Sequence, residues 1–133
     1  MLDLSLEGKR AVVTGASLGI GEAVVKMLSD HGASVTFCAR NKDAIKNLTD
    51  YKSESPDSKI KGLIADMSDA KSTENFIKET LEDGPIDILV NNVGASPSRN
   101  FLYMSDQDWQ DLHELNLLSA VRCTRSFLPH MRE

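Results

Sequence analysis

The stretch Val12-Val13-Thr14-Gly15-Ala16-Ser17-Leu18-Gly19-Ile20-Gly21 decides how the chain folds. An apolar run, Ala11 to Val13, ends at Thr14. Three glycines follow, and an amphipathic segment begins. This is a strand, a glycine-rich turn and a helix. Such a turn presents unpaired backbone N–H groups at a helix N-terminus, where the helix dipole also favours negative charge, so phosphate is the usual occupant. The glycines divide the work. Gly15 makes a tight turn, Gly19 allows close backbone approach to a pyrophosphate, and Gly21 allows close helix–strand packing. The spacing G-x-x-x-G-x-G differs from the fingerprint G-x-G-x-x-G, and Glu22-Ala23 stand where a P-loop needs Lys and then Ser or Thr. An ordinary glycine-rich βα turn is the plainer alternative.

Outward from this turn the chain alternates strand and helix. Strands are expected over 10–14, 34–39, 60–65 and 86–90. Helices are expected over 19–31, about 42–52, from Ser68 or Asp69 to Gly84-Pro85, and from Ser105 or Asp106 as one long stretch that reaches Pro129 and the end of the chain. Ile20, Val24, Met27 and Leu28 recur at helical spacing and predict the buried face of the first helix. Thr73, Phe76, Ile77, Thr80 and Leu81 do the same for the third. Asn41 is the expected cap of the second. Residues 34–39 are near-continuously apolar, as a strand covered on both faces reads. Alternation with short connections means a parallel sheet wound by right-handed crossovers. A strand order 3-2-1-4 puts the ligand cleft at the carboxyl ends of strands one and four. The glycine turn and Asn91-Asn92-Val93-Gly94 both fall there. Residues 1–133 read as one domain of this α/β, doubly wound type.

Composition narrows the function. The chain has 133 residues, enough for one domain that buries about 65–70% of its unfolded surface. It is 41% hydrophobic and 26% charged, with a net charge of -5 and no basic run. Nucleic acid and anionic membranes are therefore not expected as partners. No apolar segment approaches the ~18 residues of a membrane span, and the N-terminus lacks a signal-peptide core, so a cytoplasmic location is expected. Cys38 and Cys123 have no motif spacing, and Cys38 reads as a small hydrophobe in a buried strand. His31, His113 and His130 pair with no carboxylate or cysteine at ligand spacing, so no metal site is expected.

The second strand ends in Ala39-Arg40, nineteen residues after Gly21. An NAD site usually places Asp or Glu at about this distance for the ribose 2′-OH. A carboxylate there repels a 2′-phosphate, whereas an Arg binds one through a planar fork. The position therefore favours NADP(H) over NAD(H), with Ser17 able to add a hydroxyl. A solvated Arg40 is the alternative. Asp66, at the end of the third strand, either accepts from the adenine amino group or helps cap the next helix. Asn91 and Asn92 either line the cleft or form a simple turn.

Together, Thr14-Gly15-Ala16-Ser17-Leu18-Gly19-Ile20-Gly21, Asp66, Asn91-Asn92-Val93-Gly94 and Asn116 resemble the short-chain dehydrogenase/reductase family. The likeness covers the whole chain but only about the first half of a complete member, that is, a Rossmann-type sheet truncated after its fourth strand and the following long helix. Val93 stands where the family usually has Ala. The resemblance implies that Thr14, Gly15, Ser17, Leu18, Gly19, Ile20 and Gly21 surround the cofactor phosphates, that Asp66 and the backbone of Met67 meet adenine, and that Asn91, Val93 and Gly94 border the ribose. Asn116 is implied to be the asparagine of the catalytic tetrad, holding a water in the proton relay. The implied reaction is hydride transfer between NADP(H) and a small-molecule carbonyl or secondary alcohol, as in 3-oxoacyl or general ketone reductases, in a homo-oligomer.

The family's chemistry also needs a Ser and a Tyr-x-x-x-Lys. Tyr51 is followed four residues later by Ser55 and Tyr103 by Gln107, and the last lysine is Lys78. The 133 residues therefore read as the N-terminal part of a longer enzyme, inactive alone. A non-catalytic dinucleotide-binding module, or an inactive fragment, is the alternative.

Overall fold

The computed structural model describes residues 2–132. The elements run β1 (Arg10–Val13), α1 (Gly19–Asp30), β2 (Ser34–Ala39), α2 (Lys42–Thr49), β3 (Ile60–Ile64), α3 (Ala70–Glu82) and β4 (Ile88–Val90). A 3₁₀ turn at Phe101–Tyr103 follows, then α4 (Asp106–His113), a π-helical turn (Glu114–Leu118) and α5 (Ser119–Met131). The four strands are parallel in the order β3-β2-β1-β4. This is the doubly wound, Rossmann-type sheet that the alternation predicts.

Two apolar cores follow from the strand period of two. Ala11, Val13, Val35 and Phe37 point to the face covered by α1 and α2, where Val25, Ala33 and Leu48 complete the layer. Val12 and Cys38 point to the other face, against Phe76 and Ile77 of α3 and Cys123 and Phe127 of α5. Arg10 ties the far end of the sheet to α3. Its guanidinium donates to the carbonyls of Thr80 (3.2 Å) in the last turn of α3 and of Gly84 and Pro85 (2.8 Å) just beyond it.

Several expected boundaries and faces shift, each for a visible reason. The buried face of α1 is Gly21, Val25 and Ser29; Ile20 and Met27 point outward, 77% and 65% exposed. Gly21 sets this rotation. A Cβ there would lie 2.8 Å from Ala16 Cα and 2.5 Å from Asn92 Nδ2, so the helix turns its smallest residue to the strand end; Val24 and Leu28 still pack against the core as expected, while Ile20 and Met27 turn away. Ser29 tolerates burial because its hydroxyl pairs with Ser58 Oγ at 2.7 Å. Helix α2 stops at Thr49, three residues early, and the chain turns so that Tyr51 Oη donates to Asp30 Oδ2 at 2.9 Å. Regular β4 starts at Ile88 because the Asp87 carboxylate, not a carbonyl, accepts the Arg10 N–H (2.9 Å), while the Asp87 N–H still donates to Arg10 O (2.8 Å). The long last helix runs past Pro129 to Met131 as expected, but a π-helical turn interrupts it. Ser105 starts it with a reciprocal capping box to Asp108. β4 pairs with β1 alone among the described residues, which leaves an apolar edge.

Burial pushes the Cys38 thiol up to about 11 and the Cys123 thiol up to about 12, the latter with a smaller contribution from Cys38. Thiolate is the reactive form, so neither cysteine should react with a disulfide reagent until the protein unfolds; two fast-reacting thiols in the native state would contradict this packing. Both folded values lie above the ordinary thiol value of 9.0. The unfolded chain therefore releases these protons first as pH rises, and stability present below about pH 9 should fall from there through about pH 12. Denaturant midpoints across that range check the sign.

Candidate functional site

The cleft forms where the chain leaves the carboxyl ends of β1, β2, β3 and β4. β1 hands over at Thr14, which is buried. Its backbone N–H donates to Val90 O at 3.1 Å, and its Oγ1 accepts from the N–H groups of Asn92 (3.1 Å) and Val93 (3.3 Å). Asn92 Nδ2 donates to Gly15 O at 3.0 Å. The loop after β4 is thus tied to the glycine turn at three points. Gly15 and Gly19 have φ of 64° and 65°, the left-handed region that favours glycine. A Cβ on Gly15 would also lie 2.9 Å from Val93 Cγ2, whereas one on Gly19 would meet nothing within 4 Å. The turn is closed against protein at Gly15 and open at Gly19.

That opening faces a cleft of about 430 Å³. Gly15, Ser17, Leu18, Gly19 and Ile20 line one wall; Arg40, Asp66 and Met67 line the end at β2 and β3; Val93 and Gly94 line the side at β4. The N-cap of α1, Leu18, offers no side-chain cap, so the first N–H groups of the helix are left for whatever occupies the cleft. Four of the expected site residues sit apart from the lining. Thr14 and Gly21 are buried behind it. Asn91 turns its amide to Thr124 Oγ1 on α5, donating at 3.1 Å. Asn116 holds the loop below the cleft: its Oδ1 accepts the Ala95 N–H at 2.8 Å and its Nδ2 donates to Ala95 O at 2.9 Å. Both ends of that amide are committed to Ala95. Cys38 also reaches the lining, as do Ala39, Ala65, Asn92, Ala95 and Leu115. Asn92 lines the cleft, one of the two readings its sequence position allows; Ala39, Ala65, Ala95 and Leu115 carry apolar side chains with no signal in the sequence. A larger cavity of about 530 Å³ adjoins the cleft across Leu115, lined by Arg99, Asp108 and Asp111 among others.

The rim is electrostatically organised. Asp66 Oδ1 accepts from Ser68 Oγ (2.6 Å) and from the Ser68 N–H (3.0 Å). These bonds, and more weakly the positive charge of Arg40, hold its carboxyl below the usual carboxylate range. Asp69, not Asp66 or Ser68, caps α3. Asp66 is therefore free of helix capping and stays ionised at the mouth of the cleft. No group of three potential metal ligands occurs among the described residues, and no helix there is long and apolar enough to cross a membrane.

This geometry has close counterparts. Residues 9–133 match the family model for short chain dehydrogenase. The chain belongs to the short-chain dehydrogenase family. The 3-oxoacyl-[acyl-carrier-protein] reductase of Salmonella typhimurium is 37% identical over 129 residues, which cover 96% of this chain and 51% of the relative. An uncharacterized oxidoreductase of Bacillus subtilis is 36% identical over 134 residues, with 98% and 49% covered. Among solved structures, L-sorbose reductase from Gluconobacter frateurii, complexed with NADPH and L-sorbose, superposes with a TM-score of 0.91 at 30% identity, covering 98% of this chain and 50% of that one. The chain spans about half the length of the short-chain dehydrogenases it matches.

Thr14→Val keeps the shape of the side chain and removes the acceptor. Two N–H groups of the β4 loop then lose their partner, and the variant should be less stable by about 1–3 kcal/mol. Chemical denaturation measures this; an unchanged midpoint would show that the hydroxyl does not hold the two loops together.

Proposed function

We propose that this chain is the cofactor-binding part of an NADP(H)-dependent oxidoreductase that transfers hydride between the nicotinamide and a carbonyl or secondary alcohol. The observation that carries the proposal is Arg40, a cation where an NAD-selective cleft would carry a carboxylate. It lines the cleft at the end of β2 and makes no ion pair within 4 Å among the described residues. Its guanidinium donors are thus open to a 2′-phosphate. The NADPH in the L-sorbose reductase complex supports the same choice.

The residues present fit a dinucleotide. The left-handed Gly19 leaves open space where any other residue would project a Cβ, and the uncapped start of α1 supplies N–H donors for a pyrophosphate. When bound, the cofactor supplies or accepts the hydride. The protein's part here is to bind and orient. Gly15 to Gly21 hold phosphate, Asp66 and Met67 border adenine, and Val93 and Gly94 border the ribose, with Asn91 supporting their loop through Thr124. Asn116 fixes the loop at Ala95 beside the expected proton relay. Likeness to 3-oxoacyl reductase suggests a ketone or 3-oxoacyl substrate, and the exposed Trp109, Leu117 and Leu128 of the last helix suit a subunit contact in a homo-oligomer. Residues 1–133 contain no Tyr-x-x-x-Lys, so by themselves they bind cofactor without turning it over.

Arg40→Asp should weaken NADPH binding relative to NADH by about tenfold or more, the loss of a charge-assisted hydrogen bond worth ~1.5–3 kcal/mol. Calorimetric titration with both cofactors measures the ratio; an unchanged ratio removes Arg40 from the site. The 133-residue chain should bind NADPH yet leave its absorbance constant in the presence of ketones. Steady oxidation would overturn the assignment of a binding-only role to these residues.

A further inference from the structure

The π-helical turn Glu114–Leu118 interrupts an otherwise continuous helix, and Asn116 lies at its centre. The Ser119 N–H donates to Glu114 O, five residues back, and Ser119 Oγ donates to Leu115 O at 2.5 Å. Across this turn Arg122 Nη2 donates to Glu114 Oε2 at 2.7 Å. The spacing of this pair is unusual. An α-helix advances about 100° per residue, so positions eight apart face directions about 80° apart, while positions seven apart differ by only about 20°. The extra residue of the π turn makes Glu114 and Arg122 equivalent to a pair seven apart. They share a face only in the bulged register. The Arg122 side chain is 19% exposed, and its Nη1 is buried with no partner among the described residues. A straightened helix would remove its one anionic partner among the described residues and leave a mostly buried charge unpaired, which is costly.

We propose that the Glu114–Arg122 ion pair locks the π register, and that both are positioning residues that keep Asn116 on the Ala95 backbone. Ironing out the bulge turns the segment before it by about 100° relative to α5 and takes Asn116 off Ala95, releasing the loop that borders the cleft. The inference deepens the reading of Asn116 as a residue of the reaction site and rests on that reading for its functional meaning. Its structural content stands on the geometry alone.

The test is amide hydrogen exchange of the 133-residue chain, followed by nuclear magnetic resonance. The Ala95 N–H is on an exposed residue, and its acceptor is Asn116 Oδ1. In Glu114→Gln and in Arg122→Met, exchange at Ala95 should quicken about three- to tenfold while the core amides of Val12 and Phe37 stay slow. The swapped pair, Glu114→Arg with Arg122→Glu, should restore the slow rate. Unchanged exchange at Ala95 in both single variants, or a swapped pair as fast as either, overturns the proposal. If a single variant also loosens the core, the natural chain decides the matter: moving from low to high salt must quicken Ala95 selectively, and no selective change overturns the lock. A parallel NADPH titration of the natural chain tests the cofactor reading separately, so either idea can fail without the other.

Discussion

One hydroxyl joins the two halves of the cleft. Thr14 Oγ1 accepts two consecutive N–H groups from the loop after β4, and the side chain of the first of them, Asn92, reaches back to Gly15 O. The partners are almost 80 residues apart in sequence but adjacent in the sheet, because β1 lies between β2 and β4. A buried loop carries backbone donors that need partners. Here the hydroxyl of a β-branched residue, stiff about χ1, supplies the acceptor at the point where the strand can no longer do so. Gly15 and Gly21 depend on the same arrangement. Each lies too close to Val93 or Asn92 to carry a side chain, so the glycine turn is shaped as much by the β4 loop as by any ligand.

That dependence separates what the sequence discloses from what it conceals. Strand order, the two apolar cores and the meeting of the glycine turn with Asn91–Gly94 are legible, because they follow from periodicity and from the rule that parallel sheets bind at their carboxyl edge. The buried face of α1 is only half legible from apolar spacing, which rightly places Val24 and Leu28 against the core but adds Ile20 and Met27. Ile20 and Met27 fit the helical period well, yet a glycine chooses the rotation, since close approach of two backbones outweighs where the larger side chains fall. The π turn escapes for another reason: residues 105–131 keep a plausible apolar stripe with or without one inserted residue. Only the pair Glu114 and Arg122, eight apart and poorly placed for a plain helix, carries a trace of it.

The outward apolar residues have a common distribution. Ile20 lies at the cleft mouth, Met27 on the outer face of α1, and Leu117 and Leu128 on the last helix, while the far side of β4 has no partner among the described residues. Scattered apolar exposure is ordinary. An unpaired apolar strand edge is less so, and the chain spans half the length of its relatives. The core that residues 2–132 build is nevertheless complete on both faces of β1 and β2, where Val12, Val13, Phe37 and Cys38 are fully buried.

In the proposed function, the choice between the two nicotinamide cofactors rests on how Arg40 and Asp66 share the rim. Opposite charges near each other can cancel, and a neutralised arginine would attract no phosphate. Two features prevent that. Asp66 Oδ1 is already turned to the hydroxyl and N–H of Ser68, and no Arg40–Asp66 pair closes to within 4 Å. Arg40 still contributes to holding the Asp66 carboxyl ionised, so the two interact through the field without either committing its donors or acceptors to the other. The rim therefore keeps a free guanidinium fork beside a free carboxylate oxygen. This arrangement can meet a phosphate and an amino group at the same time, as the adenosine 2′-phosphate end of NADP(H) requires.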